Sequence, residues 1–169
     1  MRSWRIIRRR AGVAVTKLIL AGGPGIGKTT LWQEGIDTAR DRGLRVLVSR
    51  PSGAEARHSF AGLIDLCDGL DEQILATLPA PQRVALEVAL LRTEPGGDRL
   101  GAQAIAVGFL GLAYKLSADA PLLIAIDDLQ WLDRPSSDVL AFVADQPSVG
   151  DRPLRLSLPQ SGVTLSPEH

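Results

Sequence analysis

Gly22-Gly23-Pro24-Gly25-Ile26-Gly27-Lys28-Thr29-Thr30 follows the pattern G-x-x-x-x-G-K-[ST], in which a glycine-rich turn wraps its backbone N–H groups around phosphate oxygens. The apolar run Leu18-Ile19-Leu20-Ala21 leads into it as a buried strand would, and an amphipathic stretch follows. Strand, loop and helix in that order are the setting the motif needs. Gly22, Gly25 and Gly27 let the backbone curl with its amides inward. The helix beginning near Lys28 adds unpaired N–H groups and a positive dipole end. On this reading Gly22 through Thr30, including Gly23, Pro24, Ile26 and Thr30, cradle a nucleotide. Lys28 reaches the β- and γ-phosphates and so serves catalysis, and the Thr29 hydroxyl is a ligand for Mg2+. Lysine occurs only three times in the chain, at Lys17, Lys28 and Lys115, and one stands where the motif requires it.

Outward from the loop, the pattern predicts a first strand over Lys17–Ala21 and a helix from Lys28 to about Arg42. Trp32, Ile36 and Ala39 share one face of that helix, and Gly43 stops it. Arg45–Ser49 reads as a second strand, which completes a βαβ unit. A helical insert follows. It has an apolar stretch over Ser59–Leu70 and a helix opening at Pro81 with Val84, Val88 and Leu91 on one face and Arg83 paired with Glu87. A loop over Glu94–Asp98 and a longer helix over Arg99–Ser117, striped by Ile105, Phe109, Leu112 and Leu116, complete the insert. Pro121-Leu122-Leu123-Ile124-Ala125-Ile126 is a continuous apolar run, as expected of a strand buried on both faces, and it ends in Asp127-Asp128. With a phosphate loop upstream, this is where the Walker B acid belongs, at the C-terminal edge of a strand facing the phosphates. Asp127 is the expected Mg2+ residue. Asp128 is the expected catalytic acid that orients or deprotonates the attacking water. The fold class is therefore α/β, a P-loop NTPase with a parallel sheet flanked by helices and a helical insert between the second strand and the Walker B strand.

Composition bounds the rest. The apolar share is 45% and the formal net charge is zero, so nothing global draws the chain to nucleic acid or membrane. Cys67 is the only cysteine, and no Cys/His group has metal-ligand spacing. The arginines at 2, 5, 8, 9 and 10 resemble the start of a signal peptide, but the apolar stretch after them is broken by Lys17 and runs into the phosphate loop. No segment reaches membrane-spanning length, so the expected location is cytoplasmic. The chain has no asparagine, so the guanine-reading Asn-Lys-x-Asp motif is excluded and ATP or ADP is the expected nucleotide.

Ile126-Asp127-Asp128-Leu129-Gln130-Trp131-Leu132-Asp133 resembles the extended Walker B signature of the large ATP-binding LuxR-type transcriptional regulators, whose ATPase module is of the AAA+/STAND type and similar to the Orc1-like AAA ATPase domain. The phosphate loop has the form that group uses. Ala54-Glu55-Ala56-Arg57 through Phe60-Ala61-Gly62-Leu63, and Gln82-Arg83 through Leu90-Leu91-Arg92, are similar to it too. The resemblance covers about residues 17–144. It implies a nucleotide-operated switch that binds ATP or ADP with Mg2+, hydrolyses ATP slowly at most, and self-associates. Trp131 is either the characteristic tryptophan of that motif or an aromatic packed under the adjacent helix.

The departures from the family pattern set further expectations. Residues 1–16 lack the Val-Gly-Arg-Glu box of these relatives and read as a basic N-terminal tail. Residues 17–146 read as a partial ATPase core, and 147–169 as an irregular, disordered tail in which Leu154–Leu158 forms a short strand at best. In the family's sheet the strands beside the P-loop strand come from beyond the Walker B strand, so Leu18–Leu20 is expected to have open edges. No helix-turn-helix is evident, so DNA binding by this stretch is not expected. On this basis the chain reads as a truncated or frameshifted piece of a longer regulator. Two alternatives stand beside the switch: a non-catalytic fragment acting by oligomerisation, and a P-loop kinase of a small molecule.

Overall fold

The computed structural model describes residues 5–11, 15–22, 28–54, 58–91, 101–146 and 154–161. In chain order these form β1 (Arg5–Ala11), β2 (Val15–Gly22), α1 (Lys28–Asp41), β3 (Arg45–Ser49), α2 (Ala61–Leu66), α3 (Glu72–Ala76), α4 (Ala80–Ala89), α5 (Ala102–Leu116), β4 (Leu122–Ile126), a 3-10 turn (Leu129–Trp131), α6 (Arg134–Asp145) and β5 (Leu154–Ser161). The architecture is α/β, and α2 to α5 form the expected helical insert between β3 and β4.

The strands make one sheet in the order β1-β2-β5-β4-β3. β2, β5, β4 and β3 run parallel, and β1 lies antiparallel on the outside of β2. Three expectations change here. The stretch read as a basic tail carries β1, which pairs with β2 from Arg5↔Ala21 to Ala11↔Val15. The stretch read as a disordered tail carries β5, which pairs with β2 along Val15–Gly22 and with β4 along Leu122–Ala125. The P-loop strand therefore has no open edge. Leu154, Leu156 and Leu158 alternate with Arg155 and Ser157 in the two-residue period of a strand. Pro159 masks this pattern, because proline cannot donate to a ladder. The structure tolerates it because pairing with β4 ends at Ser157, two residues earlier. The arginine-rich β1 suits an outermost strand, where charge discourages further edge-to-edge pairing.

Helices cover both faces of the sheet. On one face, Trp32 and Ile36 of α1 pack with Ala125 and against Val46, Val48 and Leu123. On the other, Leu47, Leu122, Ile124 and Ile126 join the main core, built from α2 to α6. The alternation along β3 and β4 assigns each residue to its layer. α1 ends as Gly43 predicts: Gly43 has φ +75°. The Gly43 N–H donates to Arg40 O at 2.8 Å and the Leu44 N–H to Ala39 O at 2.9 Å, the paired bonds of a Schellman stop.

Within the insert, Ile105, Phe109, Leu112 and Leu116 are all buried on α5, as their spacing predicts. The face expected for α4 is not the one it buries. Val84 and Leu91 are 42% and 80% exposed, and Ala85, Leu86, Ala89 and Leu90 enter the core instead. The reason is the neighbouring helix: α5 presents Gly108 and Gly111 to Gln82, so α4 approaches closely and its small residues fit the contact. The Arg83–Glu87 pair forms, at 3.8 Å.

The close approach gives a stability prediction. A Cβ on Gly108 would stand 2.7 Å from the backbone oxygen of Gln82, so Gly108→Ala is expected to cost about 1–3 kcal/mol in urea unfolding. Gly35 lies on the exposed face of α1 with nothing within 4 Å. Gly35→Ala is expected to be neutral or stabilising by up to about 1 kcal/mol through helix propensity.

Candidate functional site

The C-terminal ends of the four parallel strands define one edge of the sheet. β2 delivers Gly22 there, and α1 begins at Lys28, so the phosphate-loop sequence joins this edge to a helix N-terminus. Gly23, Pro24, Gly25, Ile26 and Gly27 lie outside the described residues. Thr29 and Thr30 follow Lys28 in the first turn of α1 and are exposed. That turn contains no acidic residue, so no side-chain carboxylate on it opposes a phosphate.

One strand away, β4 delivers the acidic pair. Because β5 separates β2 from β4, the two strands are about 10 Å apart, two strand spacings. The Asp127 N–H donates to Ser49 O at 2.9 Å, which extends the β3–β4 ladder to the start of the site. The Asp127 Oδ1 accepts the Asp128 N–H at 3.1 Å. Asp128 turns the chain with φ 49° and ψ 56°, a left-handed conformation uncommon outside glycine. Bonds from the following turn help to hold it: the Trp131 N–H donates to Asp128 O at 2.9 Å, and Gln130 Nε2 donates to Asp128 Oδ1 at 3.1 Å. The fold thus brings Gly22, the Lys28–Thr30 turn and Asp127–Asp128 to one edge. Trp131 is not packed under a helix. It is 46% exposed, with its ring against Gly53, where a Cβ would lie 3.3 Å from it.

Asp133 has a structural role that sequence reasoning missed. It is 3% exposed and accepts three backbone N–H groups: Phe60 at 2.8 Å, Ser136 at 2.9 Å and Gly62 at 2.9 Å. Ser136 Oγ accepts the Leu63 N–H at 3.1 Å. Asp133 therefore caps α6 and also fastens the start of α2, including Phe60, which sits at φ 64°. Gly62 is required for this contact, since a Cβ would lie 2.3 Å from Leu132 Cδ1 and 3.2 Å from the Ser136 side chain. The cap was readable as Asp133 ahead of Pro135 and Ser136. The bonds to residues more than 70 positions away were not. The Phe60–Leu63 and Ile126–Asp133 stretches, which look family-like separately, are thus joined by hydrogen bonds.

Residues 6–157 match the family model of the AAA ATPase domain. The chain belongs to that family. No curated protein and no solved structure matches it. The match runs from β1 into β5, past 17–146 at both ends, and so includes the strands on either side of β2. Membership makes this AAA ATPase domain a P-loop module of a nucleotide-binding family. Among the described residues no helix is long and apolar enough to cross a membrane.

Removing Asp133 tests the link. Asp133→Ala leaves three N–H groups without their acceptor and is expected to destabilise the domain by about 3 kcal/mol or more. Asp133→Asn keeps an oxygen for Phe60 and Ser136 but turns an amide toward the Gly62 N–H. Its expected cost is smaller, about 1–3 kcal/mol. Urea denaturation of both variants against the parent measures the difference.

Proposed function

We propose that this AAA ATPase domain is a Mg-ATP-binding switch module that hydrolyses ATP slowly at most, and that it comes from a STAND-type, LuxR-family regulator. The observation carrying the reading is the shared sheet edge, where the loop-to-helix junction at Gly22–Lys28 and the acidic pair Asp127–Asp128 stand one strand apart. The regulator origin rests on the resemblance of the Ile126–Asp133 and Phe60–Leu63 stretches.

In this reading Gly22 through Thr30 hold the phosphates by backbone N–H groups and the α1 N-terminus, and Lys28 supplies a positive charge to the β- and γ-phosphates. The donors fit Mg2+. A threonine hydroxyl at Thr29 and a carboxylate at Asp127 are hard oxygen ligands, and Mg2+ in nucleotide sites fills most of its shell with water and phosphate. A dedicated cage is not needed, and no group of three acidic, His or Cys residues suited to a metal occurs among the described residues. Bound there, Mg2+ would neutralise phosphate charge. Asp128 orients the attacking water and accepts its proton. Its turn is held by Gln130 and Trp131 on one side and, through Asp127, by the ladder bond to Ser49 on the other.

Lys28→Ala is expected to abolish Mg-ATP binding in titration calorimetry, and unchanged affinity would overturn the assignment. Asp128→Asn is expected to retain binding and to lower ATP turnover about a hundredfold or more, by the usual size of a general-base contribution. At a hundredfold excess of ligand over Kd, the parent should gain about 2.7 kcal/mol of stability and Lys28→Ala should gain none. Self-association follows from the switch reading. Sedimentation velocity is expected to show larger species with ATP than with ADP, and identical profiles would count against it.

A further inference from the structure

A second cavity lies on the sheet face opposite α1, between the C-terminal end of β3, α2 and the Leu129–Trp131 turn. Its volume is about 370 Å3, within the range of small-molecule sites. None of the residues assigned to the nucleotide lines it. We infer that this cleft binds a small molecule joining a flat apolar group to a protonated amine.

Three observations carry the inference. Ser49 lines the cleft, is 0% exposed, and its hydroxyl has no hydrogen-bond partner among the described residues. Buried hydroxyls are nearly always paired, and an exception calls for a reason. A polar group on a ligand would supply the missing partner. Trp131 forms a wall, half-exposed and backed by Gly53, so an aromatic surface is held in place without being covered. Such a surface favours a flat apolar body or a cation over its face.

The third observation is the charge that remains. Arg50 also lines the cleft, but its guanidinium turns to the α1 side, 5.1 Å from the Trp32 ring centroid, where it donates to Gln33 Oε1, and one arginine leaves the three lining aspartates in excess. Asp133 has both oxygens filled by backbone N–H groups. Asp65 accepts the Arg50 N–H at 2.7 Å through Oδ2 alone, and the Asp68 carboxylate makes no hydrogen bond or ion pair among the described residues. Asp65 and Asp68 therefore give the cleft a negative rim, which selects a cation and repels phosphates and carboxylates. This distinguishes the cleft by charge from the phosphate-loop junction at Gly22–Lys28; the cleft adjoins the acidic pair through Ser49 and Trp131.

The test follows the Trp131 indole 15N–1H signal, assigned with Trp131→Phe, in the full chain. The probes are phenethylamine and its neutral analogue 2-phenylethanol. Phenethylamine is expected to shift the signal saturably and to bind at least about tenfold more tightly than 2-phenylethanol, the margin of one charge-assisted contact. Asp68→Asn, an exposed rim change, should weaken phenethylamine by a similar factor and leave 2-phenylethanol unaffected. Ser49→Ala should weaken both probes. The inference is overturned if phenethylamine gives no saturable shift, if the two probes bind equally, or if Asp68→Asn leaves amine binding unchanged. None of these outcomes depends on ATP binding, so the Lys28→Ala result and this one can fail separately.

Discussion

Everything in this domain depends on one backbone constraint: β5 must fill the gap between β2 and β4. A buried strand cannot leave its N–H and C=O groups unpaired, and β2 and β4 do not pair with each other. β5 satisfies both at once, matching Val15 and Leu122 at Leu154, and Leu18 and Ala125 at Ser157. That shared register sets the P-loop strand and the acidic strand at the same height. It places Gly22 and Asp127 on one edge, at a separation fixed by strand geometry rather than by side-chain packing. Helices on both faces then bury what the ladder cannot satisfy, with Trp32 and Ile36 on one side and the insert on the other.

The insert needs its own anchor, because α2 and α3 are short and cannot be stable alone. Asp133 supplies it. A single carboxylate accepts N–H groups from both sides of the α2–α6 contact, and Gly62 leaves room for the Leu132 and Ser136 side chains. Below this point the packing is apolar and continuous through α4, α5 and β4. The polar edge is thus mounted on a rigid base, and two of the three described non-glycine residues with positive φ, Phe60 and Asp128, lie on either side of the Asp133 link.

Local patterns made half of this visible. The β2–α1–β3 unit, the fully buried β4 and the apolar stripe of α5 follow from periodicity and from one glycine stop. The acidic pair was legible because a phosphate loop stood upstream of it. What sequence hid was of three kinds. Proline masked β5: Pro159 argues against a central strand unless one knows that β4 has already ended beside it. Small residues masked the buried face of α4, since Ala85 and Ala89 carry little apolar signal and matter only because Gly108 lets the helices close. The Asp133 bonds and the Ser49–Trp131 cleft were hidden for a third reason. They join residues far apart in the chain, and no local rule reports such contacts.

The left-handed backbone of Asp128 ties these features together. A non-glycine residue in that conformation is held there by its neighbours, at a cost of order 1 kcal/mol or more. The restraint on one side is the ladder bond from Asp127 to Ser49, and on the other the turn bonds from Gln130 and Trp131. Ser49 and Trp131 are also the floor and wall of the cleft. The same two residues therefore bound the acidic pair through their backbones and the cavity through their side chains. On the two readings proposed above, a molecule on the Trp131 ring and a nucleotide at Asp128 would act on the same three-residue turn, and any coupling between them would be reciprocal by thermodynamic necessity.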